Sequence, residues 1–466
     1  MPPYNIVLII ADAYRRDCAP LFSNSFRLHA ALLPRMQSWY RFRRCFSSAP
    51  WTLPSCSSIL SGLHSSTHGY FFQNRPFGQP ILPGYLGRDY HRIGIVNNEN
   101  LTPFTGFDRE FDEYQYYASH EEPFERARKF LCEHKTGIPY FLLFHTNVTH
   151  DYYIKRAQPH YQSLFPERND WFELGKQVTT WSGLSSERRA RIRDFYDACV
   201  SNVQQRLAEL LEFVDEDHTI ICFIADHGEG FDYERSRIHH AGRLHNDLIA
   251  VPLAIHLPKD APQRHHACLS ENQSVPVSTS DVVPTLLELS GHSAPPGLDG
   301  CSIIASPALL HGRTLPVEDR RYLYSASRER FNVNRKGKNT TRWARMKNLL
   351  GQGTVARQFN LKGYVEYPYK LIVTSYVRSP LVPATVPRFF RDRLFFPEAV
   401  LLQTRDLSFS LELFNVEADP EESENILLGP SPASIRGFIR DRMKGFPKMN
   451  IVLGGVSYQL QDPLHA

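Results

Sequence analysis

The sequence predicts an α/β fold: a central, mostly parallel sheet flanked by helices, with a smaller C-terminal α+β subdomain. Three observations lead there. Short continuous apolar runs recur, helix-like stretches separate them, and polar residues with catalytic potential follow directly after several of the runs. Continuous rather than alternating apolar runs mark strands covered on both faces. Their alternation with helices marks an α/β layout.

The first run, "NIVLII" (5–10), has no basic segment before it and an acidic residue just after it, which fits a buried strand better than a signal peptide. Next, "APWTLPSCSSILSG" (49–62) predicts a helix over 55–61. Pro54 suits a first helical turn, because its missing N–H would be unpaired there, and Gly62 closes the stretch. Strands follow at "RIGIV" (92–96), "YFLLFH" (140–145), "TIICFIA" (219–225) and "VPLAIHL" (251–257). Further helices are expected over 123–133, 186–213 and 281–290, the last with an acidic start and a glycine stop. These elements define a first domain over 1–315.

Beyond residue 315 the texture changes. Residues 328–347 hold eight Lys or Arg against one Glu, and "YKLIVTSYV" (369–377) and "SLELFNV" (410–416) read as strands around a proline-rich segment. Residues 316–466 are therefore expected to form a subdomain packed on the first. The basic stretch reads either as a solvated surface or as a lining that attracts anions.

At 466 residues the chain can bury a large core. Its net charge of +4 is compatible with an anionic substrate and does not argue for nucleic acid. No apolar run approaches the length that spans a bilayer, so no membrane partner is expected. The eight cysteines are scattered without a Cys-x-x-Cys pair, which predicts reduced, mostly buried thiols and a cytoplasmic location.

In open α/β sheets functional groups collect at the carboxyl ends of strands. The first strand runs into Asp12, the third into His145 and then His150, and the fourth into "ADHGEG", with Asp226 and His227 adjacent. Two aspartates and a histidine from separate strand ends suffice to hold one divalent cation, with a place left for a nucleophile or a substrate oxygen. Taken singly, Asp12 also reads as a helix N-cap and each histidine as a satisfied core residue. Thr52 reads either as a plain N-cap or as a hydroxyl placed where helix N–H groups attract an anion. Cys56 reads as a small buried thiol or as a thiolate of low pKa touching the substrate.

Taken in order, these segments resemble the sulfatase family of the alkaline phosphatase superfamily, from Asn5 to about Ile426. "NIVLIIADAYRRD" resembles the family's opening strand and its Asp-x-x-Arg-x-Asp turn, here Asp12, Arg15 and Asp17. "SAPWTLPSCSSILSGLHSSTHG" is similar to the nucleophile segment, and "GFDREFDEY" to the link that follows. "FLLFHTNVTHDYY" resembles the strand ending in a substrate-side histidine, placing that role on His150. "FIADHGEGF" is similar to the second metal motif, and "HHAGRLHNDLIAVPLAIHLP" to the segment whose histidine is here His240. "TSDVVPTLLELSG", "GLDGCSI" and "LELFNVEADPEESENI" match later landmarks.

The resemblance implies an alkaline-phosphatase-like fold and a single divalent metal ion (Mn, Zn or Ca) held by Asp12, Asp226, His227 and Thr52 Oγ. Thr52 would be the nucleophile, with His150 and His240 stabilising substrate oxygens or protonating the leaving group. Asn98 aligns loosely with a substrate-loop position. The implied partner is a small anionic ester, and a homo-oligomer is compatible with the composition.

Three departures stand out. The family's nucleophile segment is Cys-x-Pro-Ser-Arg or Ser-x-Pro-Ser-Arg, whose first residue is oxidised to formylglycine. Here that place is Thr52 and the arginine place is Cys56. The paired aspartates of the first strand are reduced to Asp12-Ala13, and the Asp-x-x-x-His of two-metal relatives is missing. The expected activity is hydrolysis of phosphate or phosphonate esters, or of sulfate esters, through a Thr52 intermediate. The alternatives are transfer of the same group to an alcohol and an inactive binding protein. The known transferases of this kind carry N-terminal membrane spans, which this sequence does not show.

Overall fold

The computed structural model describes residues 3–19, 22, 31–73, 75–134, 137–154, 157–167, 184–235, 237–323, 357–377, 400–403, 407–428, 449–453 and 456–460. The basic stretch 328–347 and the proline-rich segment after residue 378 lie outside the described residues. The chain divides into two units, Met1–Val317 and Glu318–Ala466.

In the first unit the predicted strands form as β1 (Asn5–Ala11), β4 (His91–Val96), β6 (Tyr140–Thr146) and β7 (Thr219–Ala225), joined by the unpredicted β2 (Tyr40–Arg41), β3 (Cys45–Phe46) and β5 (Glu113–Tyr116). They are followed by β8 (Ala250–Val251), β9 (Leu253–His256) and β10 (Val277–Ser278). The central sheet runs β2-β9-β7-β1-β6-β4-β5, and β8, β3 and β10 make a separate small sheet. Strands β7, β1, β6, β4 and β5 are mutually parallel. All seven residues of β6 and of β7 are buried, as continuous apolar runs require.

One expectation fails in detail. "VPLAIHL" is two strands, not one, and neither adds a parallel strand to the central sheet. Pro252 has no N–H for a ladder and divides the run. Ala250–Val251 pairs with β3, while Leu253–His256 lies antiparallel to β7. An apolar run reports burial on two faces and carries no information on direction.

The predicted helices form as α1 (Thr52–Ser61), α2 (Glu122–Glu133), α3 (Ser186–Leu211) and α4 (Val282–Leu289), among other shorter ones. Among the described residues no helix is long and apolar enough to cross a membrane. Helix α1 begins three residues before the predicted start and ends at Gly62, which has φ +74°. Every α1 residue is buried, and two of its serines bond within the helix: Ser57 Oγ donates to Leu53 O and Ser61 Oγ to Ser57 O. Ahead of α4, Ser278 and Asp281 form a capping box, and Arg313 pairs with the buried Asp281 at 2.8 Å.

In the second unit β11 (Leu315–Leu323), β12 (Arg357–Glu366), β13 (Tyr369–Val377), β14 (Val400–Gln403) and β15 (Leu407–Asn415) make a five-stranded sheet, ordered β11-β12-β13-β15-β14. The pairs of β12 with β13, β13 with β15, and β14 with β15 are antiparallel. "YKLIVTSYV" forms β13 with its predicted limits. All eight cysteines are free, and five are buried.

The registers bring the strand ends level. Ala11 lies opposite both Thr146 and Ala225, so Asp12, Asn147 and Asp226 leave the sheet side by side. Beyond β7 the chain must then squeeze past the segment Asn246–Ile249. Gly228 N–H donates to Leu248 O at 2.7 Å, and a Cβ on Gly228 would sit 2.0 Å from the Asp247 carbonyl oxygen. Backbone cannot yield there as a flexible side chain would. Gly228→Ala should therefore destabilise the protein by roughly 2–4 kcal/mol. The check is the midpoint of urea unfolding at constant slope.

Candidate active site

Asp12, Asp226 and His227 are fully buried, and one donor atom from each lies within 4.8 Å of the others. Backbone and neighbours aim them. Asp226 Oδ1 accepts from the N–H of Ala13 (3.1 Å) and of His227 (2.7 Å), which turns Oδ2 inward. Ala13 stands where the family resemblance predicts a second aspartate. It has φ +53°, in the left-handed region, and contributes its backbone N–H to Asp226 instead of a carboxylate. Asp12 Oδ2 accepts from Asn98 Nδ2 at 2.6 Å, and Asn98 Nδ2 also reaches Asn147 Oδ1 at 2.8 Å. Asn98 is thus a positioning residue for Asp12.

His227 Nδ1 lies 2.7 Å from Gly228 O, so that nitrogen carries the hydrogen and Nε2 carries the lone pair. Nε2 faces Asp12 Oδ1 at 3.5 Å and Asp226 Oδ2 at 3.6 Å. Asp12 Oδ1 has no hydrogen-bond partner. A neutral imidazole lone pair facing two carboxylate oxygens is electrostatically unfavourable unless a proton or a cation lies between them. Burial, then the Asp226 charge, pushes the Asp12 carboxyl up to about 7, and burial pushes Asp226 up to about 7. Burial lowers His227, keeping it neutral. These residues fit a divalent metal ion.

Thr52 is the first residue of α1, and Trp51, not Thr52, is the N-cap. Freed from capping, the hydroxyl donates to Asp12 Oδ2 at 3.2 Å and lies 3.4 Å from His227 Nε2. Cys56 lies one turn further on and is fully buried. Burial, then the Asp226 charge, raises its thiol well above the ordinary range, so of the two readings of Cys56 the structure supports the small buried thiol and not the low-pKa thiolate.

His150 and His240 meet at the same centre. Their rings are 4.9 Å apart, and His240 lies 4.8 Å from the His227 ring. Each is oriented by a carboxylate on Nδ1: His150 by Asp151 at 3.0 Å, His240 by Glu229 at 3.0 Å. Burial alone would lower His150, but the Asp12 charge and the Asp151 hydrogen bond outweigh it and raise it to about 9. Arg15 ties the first turn to the last, pairing with Asp17 at 2.6 Å and donating to Glu229 O. All six predicted site residues are thus brought together.

Sequence reasoning missed Glu229, although "ADHGEG" contains it, and missed a buried chain behind His150. Asp151 Oδ2 bonds His120 Nε2 at 3.0 Å, and His120 Nδ1 lies 3.0 Å from His160 Nε2. Asp151, His120 and His160 are all buried. His120 sits on a connecting segment with no motif around it, so only the folded chain reveals its role.

With this geometry in place, the comparisons bear on it directly. The sulfatase family model matches residues 4–292. The chain belongs to the sulfatase family. No curated protein matches the sequence. Among solved structures, a 2-O GAG sulfatase superposes with a TM-score of 0.62 at 12% identity, covering 95% of this chain and 92% of that one. The phosphonate monoester hydrolase of Agrobacterium radiobacter gives 0.62 at 14% identity, covering 94% of each. The C-terminal periplasmic domain of EcEptC from Escherichia coli, in a complex with Zn, gives 0.52 at 17% identity, covering 68% of this chain and 90% of that domain. These likenesses are likenesses of fold. Enzymes of the sulfatase family bind a divalent metal, in keeping with the donor set described here.

Asp151→Asn keeps an acceptor for His150 but removes the charge that orients it. Activity should fall about 10–100-fold, mainly in kcat, with the circular dichroism spectrum unchanged. A loss confined to KM would contradict this role.

Proposed function

We propose that this sulfatase-family protein hydrolyses phosphate or phosphonate esters through a covalent Thr52 intermediate, with sulfate esters as weaker substrates. The observation that carries this reading is the Thr52 hydroxyl itself, at the N-terminus of a buried helix and 3.2 Å from Asp12 Oδ2. Threonine cannot become formylglycine by oxidation of Cys or Ser. A formylglycine hydrate can release sulfate by breaking its own C–O bond, whereas a plain threonine ester must be opened by water at sulfur or phosphorus. Opening at phosphorus is well precedented chemically.

Asp12, Asp226, His227 and Thr52 would hold one divalent ion. When bound, the ion acidifies the Thr52 hydroxyl and balances charge on the non-bridging oxygens of the ester. The hydrogen bond to Asp12 Oδ2 gives the Thr52 proton an acceptor. Thr52 Oγ attacks phosphorus in line: the Oγ–P bond forms as the bond to the leaving oxygen breaks. That oxygen takes a proton from His150 or His240, whose rings Asp151 and Glu229 hold through Nδ1. Water then gives a proton to the histidine that protonated the leaving oxygen and attacks phosphorus, the Oγ–P bond breaks, and Thr52 takes its proton back from Asp12. The N-terminal end of α1 favours the anionic group throughout.

The test is a panel of p-nitrophenyl phosphate, phosphodiester, phosphonate ester and sulfate substrates. Phosphorus esters should turn over fastest, and Thr52→Ala should lower kcat by at least ~10⁴-fold. Acid quench during turnover should trap a phosphorylated or phosphonylated Thr52, detected by mass spectrometry; a sulfated Thr52 or unchanged activity in Thr52→Ala would overturn the reading. Chelation should abolish activity and lower Tm, and a divalent ion should restore both.

A further inference from the structure

We infer that the centre takes a second cation, a zinc ion bound by Cys56, His145 and Asp226, with Asp226 shared between the two metals. The inference rests on the reading of Asp12, Asp226, His227 and Thr52 as the first metal site.

Cys56 Sγ, a ring nitrogen of His145 and a carboxylate oxygen of Asp226 lie within 4.8 Å of one another, and all three residues are fully buried. His145 provides the independent sign of a ligand. Neither of its ring nitrogens has a hydrogen-bond partner, although it sits near the end of a completely buried strand. The nearest carboxylate oxygen, Asp12 Oδ2, is 3.5 Å from Nε2 and already accepts from Asn98 and Thr52. A buried polar group left without a partner costs about 1–3 kcal/mol, and such groups are rare in folded proteins. A neutral imidazole has one ring nitrogen with a lone pair to give.

The two sites share one helix face and one carboxylate. Thr52 and Cys56 are four residues apart on α1 and point the same way. Asp226 Oδ1 is taken by two backbone N–H groups, so Oδ2 must serve both sites. It lies 3.6 Å from His227 Nε2 and 3.8 Å from Cys56 Sγ. The donor types differ: the first site offers oxygens and one imidazole, whereas the second adds a sulfur. Thiolate with imidazole and carboxylate selects zinc over manganese or calcium. Zinc ligation at about 2.0–2.3 Å draws the three donors closer than they stand here. Uptake replaces the S–H bond by an S–Zn bond and releases the Cys56 proton to solvent. A divalent charge would then stand beside Cys56, at the place where the family resemblance led us to expect an arginine.

The test uses the full-length protein, stripped with a chelator and reloaded, with bound metal counted by mass spectrometry after equilibrium dialysis. Zinc or cobalt should bind at two equivalents, and manganese or calcium at one. The cobalt protein should show a near-ultraviolet sulfur-to-cobalt charge-transfer band. Cys56→Ser should lose the band and the second equivalent while keeping the first, with an unchanged circular dichroism spectrum. His145→Gln, a second variant that leaves the thiol in place, should also fall to one equivalent. A single zinc equivalent in the unmodified protein, or a band that survives Cys56→Ser, would overturn the inference and leave the hydrolase reading standing. Failure to bind any divalent ion would remove both.

Discussion

Two carboxylates in one fully buried place are the constraint around which this site is organised. Asp12 and Asp226 leave adjacent parallel strands at the same level, because Ala11 and Ala225 are partners in the β1–β7 register. Charges removed from water in this way are costly unless a counter-charge and hydrogen bonds compensate them. The surroundings supply the hydrogen bonds through Asn98 for Asp12 and the backbone N–H groups of Ala13 and His227 for Asp226. They supply no cationic side chain in direct contact among the described residues. A divalent cation held between the two carboxylates would supply that counter-charge and turn the cost of burial into affinity.

The nucleophile segment obeys the same logic from the helix side. Helix α1 is buried along its whole length, and a helix so placed can carry polar residues only if each finds a partner. Ser55 Oγ donates to Asp226 O at 2.6 Å, anchoring the helix to the strand end that bears Asp226 and His227. Thr52 therefore has little freedom to move relative to Asp12. Positioning of this kind, rather than an unusual side chain, is what makes an ordinary hydroxyl a credible nucleophile.

The histidines illustrate how a second layer of acids sets the first layer's chemistry. A carboxylate only accepts, so Asp151 and Glu229 determine which nitrogen of His150 and His240 carries a hydrogen. Arg15 then links the turn after β1 to the loop after β7 through Glu229 O. Strand ends that are distant in the chain are thereby held to one geometry.

By itself the sequence determined the alternation of strands and helices, the strand ends that carry Asp12, His150, Asp226 and His227, and the family. These were legible because burial on two faces leaves continuous apolar runs, and because Asp-His and Thr-x-Pro-Ser are local patterns. The tertiary structure alone decided the rest. It split "VPLAIHL" at Pro252 and reversed its second half, since direction depends on pairing partners and not on composition. It moved the cap from Thr52 to Trp51, gave Asn98 its hold on Asp12, and left His145 beside Cys56 without a hydrogen bond. It also assembled His160, His120 and Asp151 behind His150. Each of these relations joins residues far apart in the chain, and a contact made only by folding leaves no periodicity or spacing for the sequence to display.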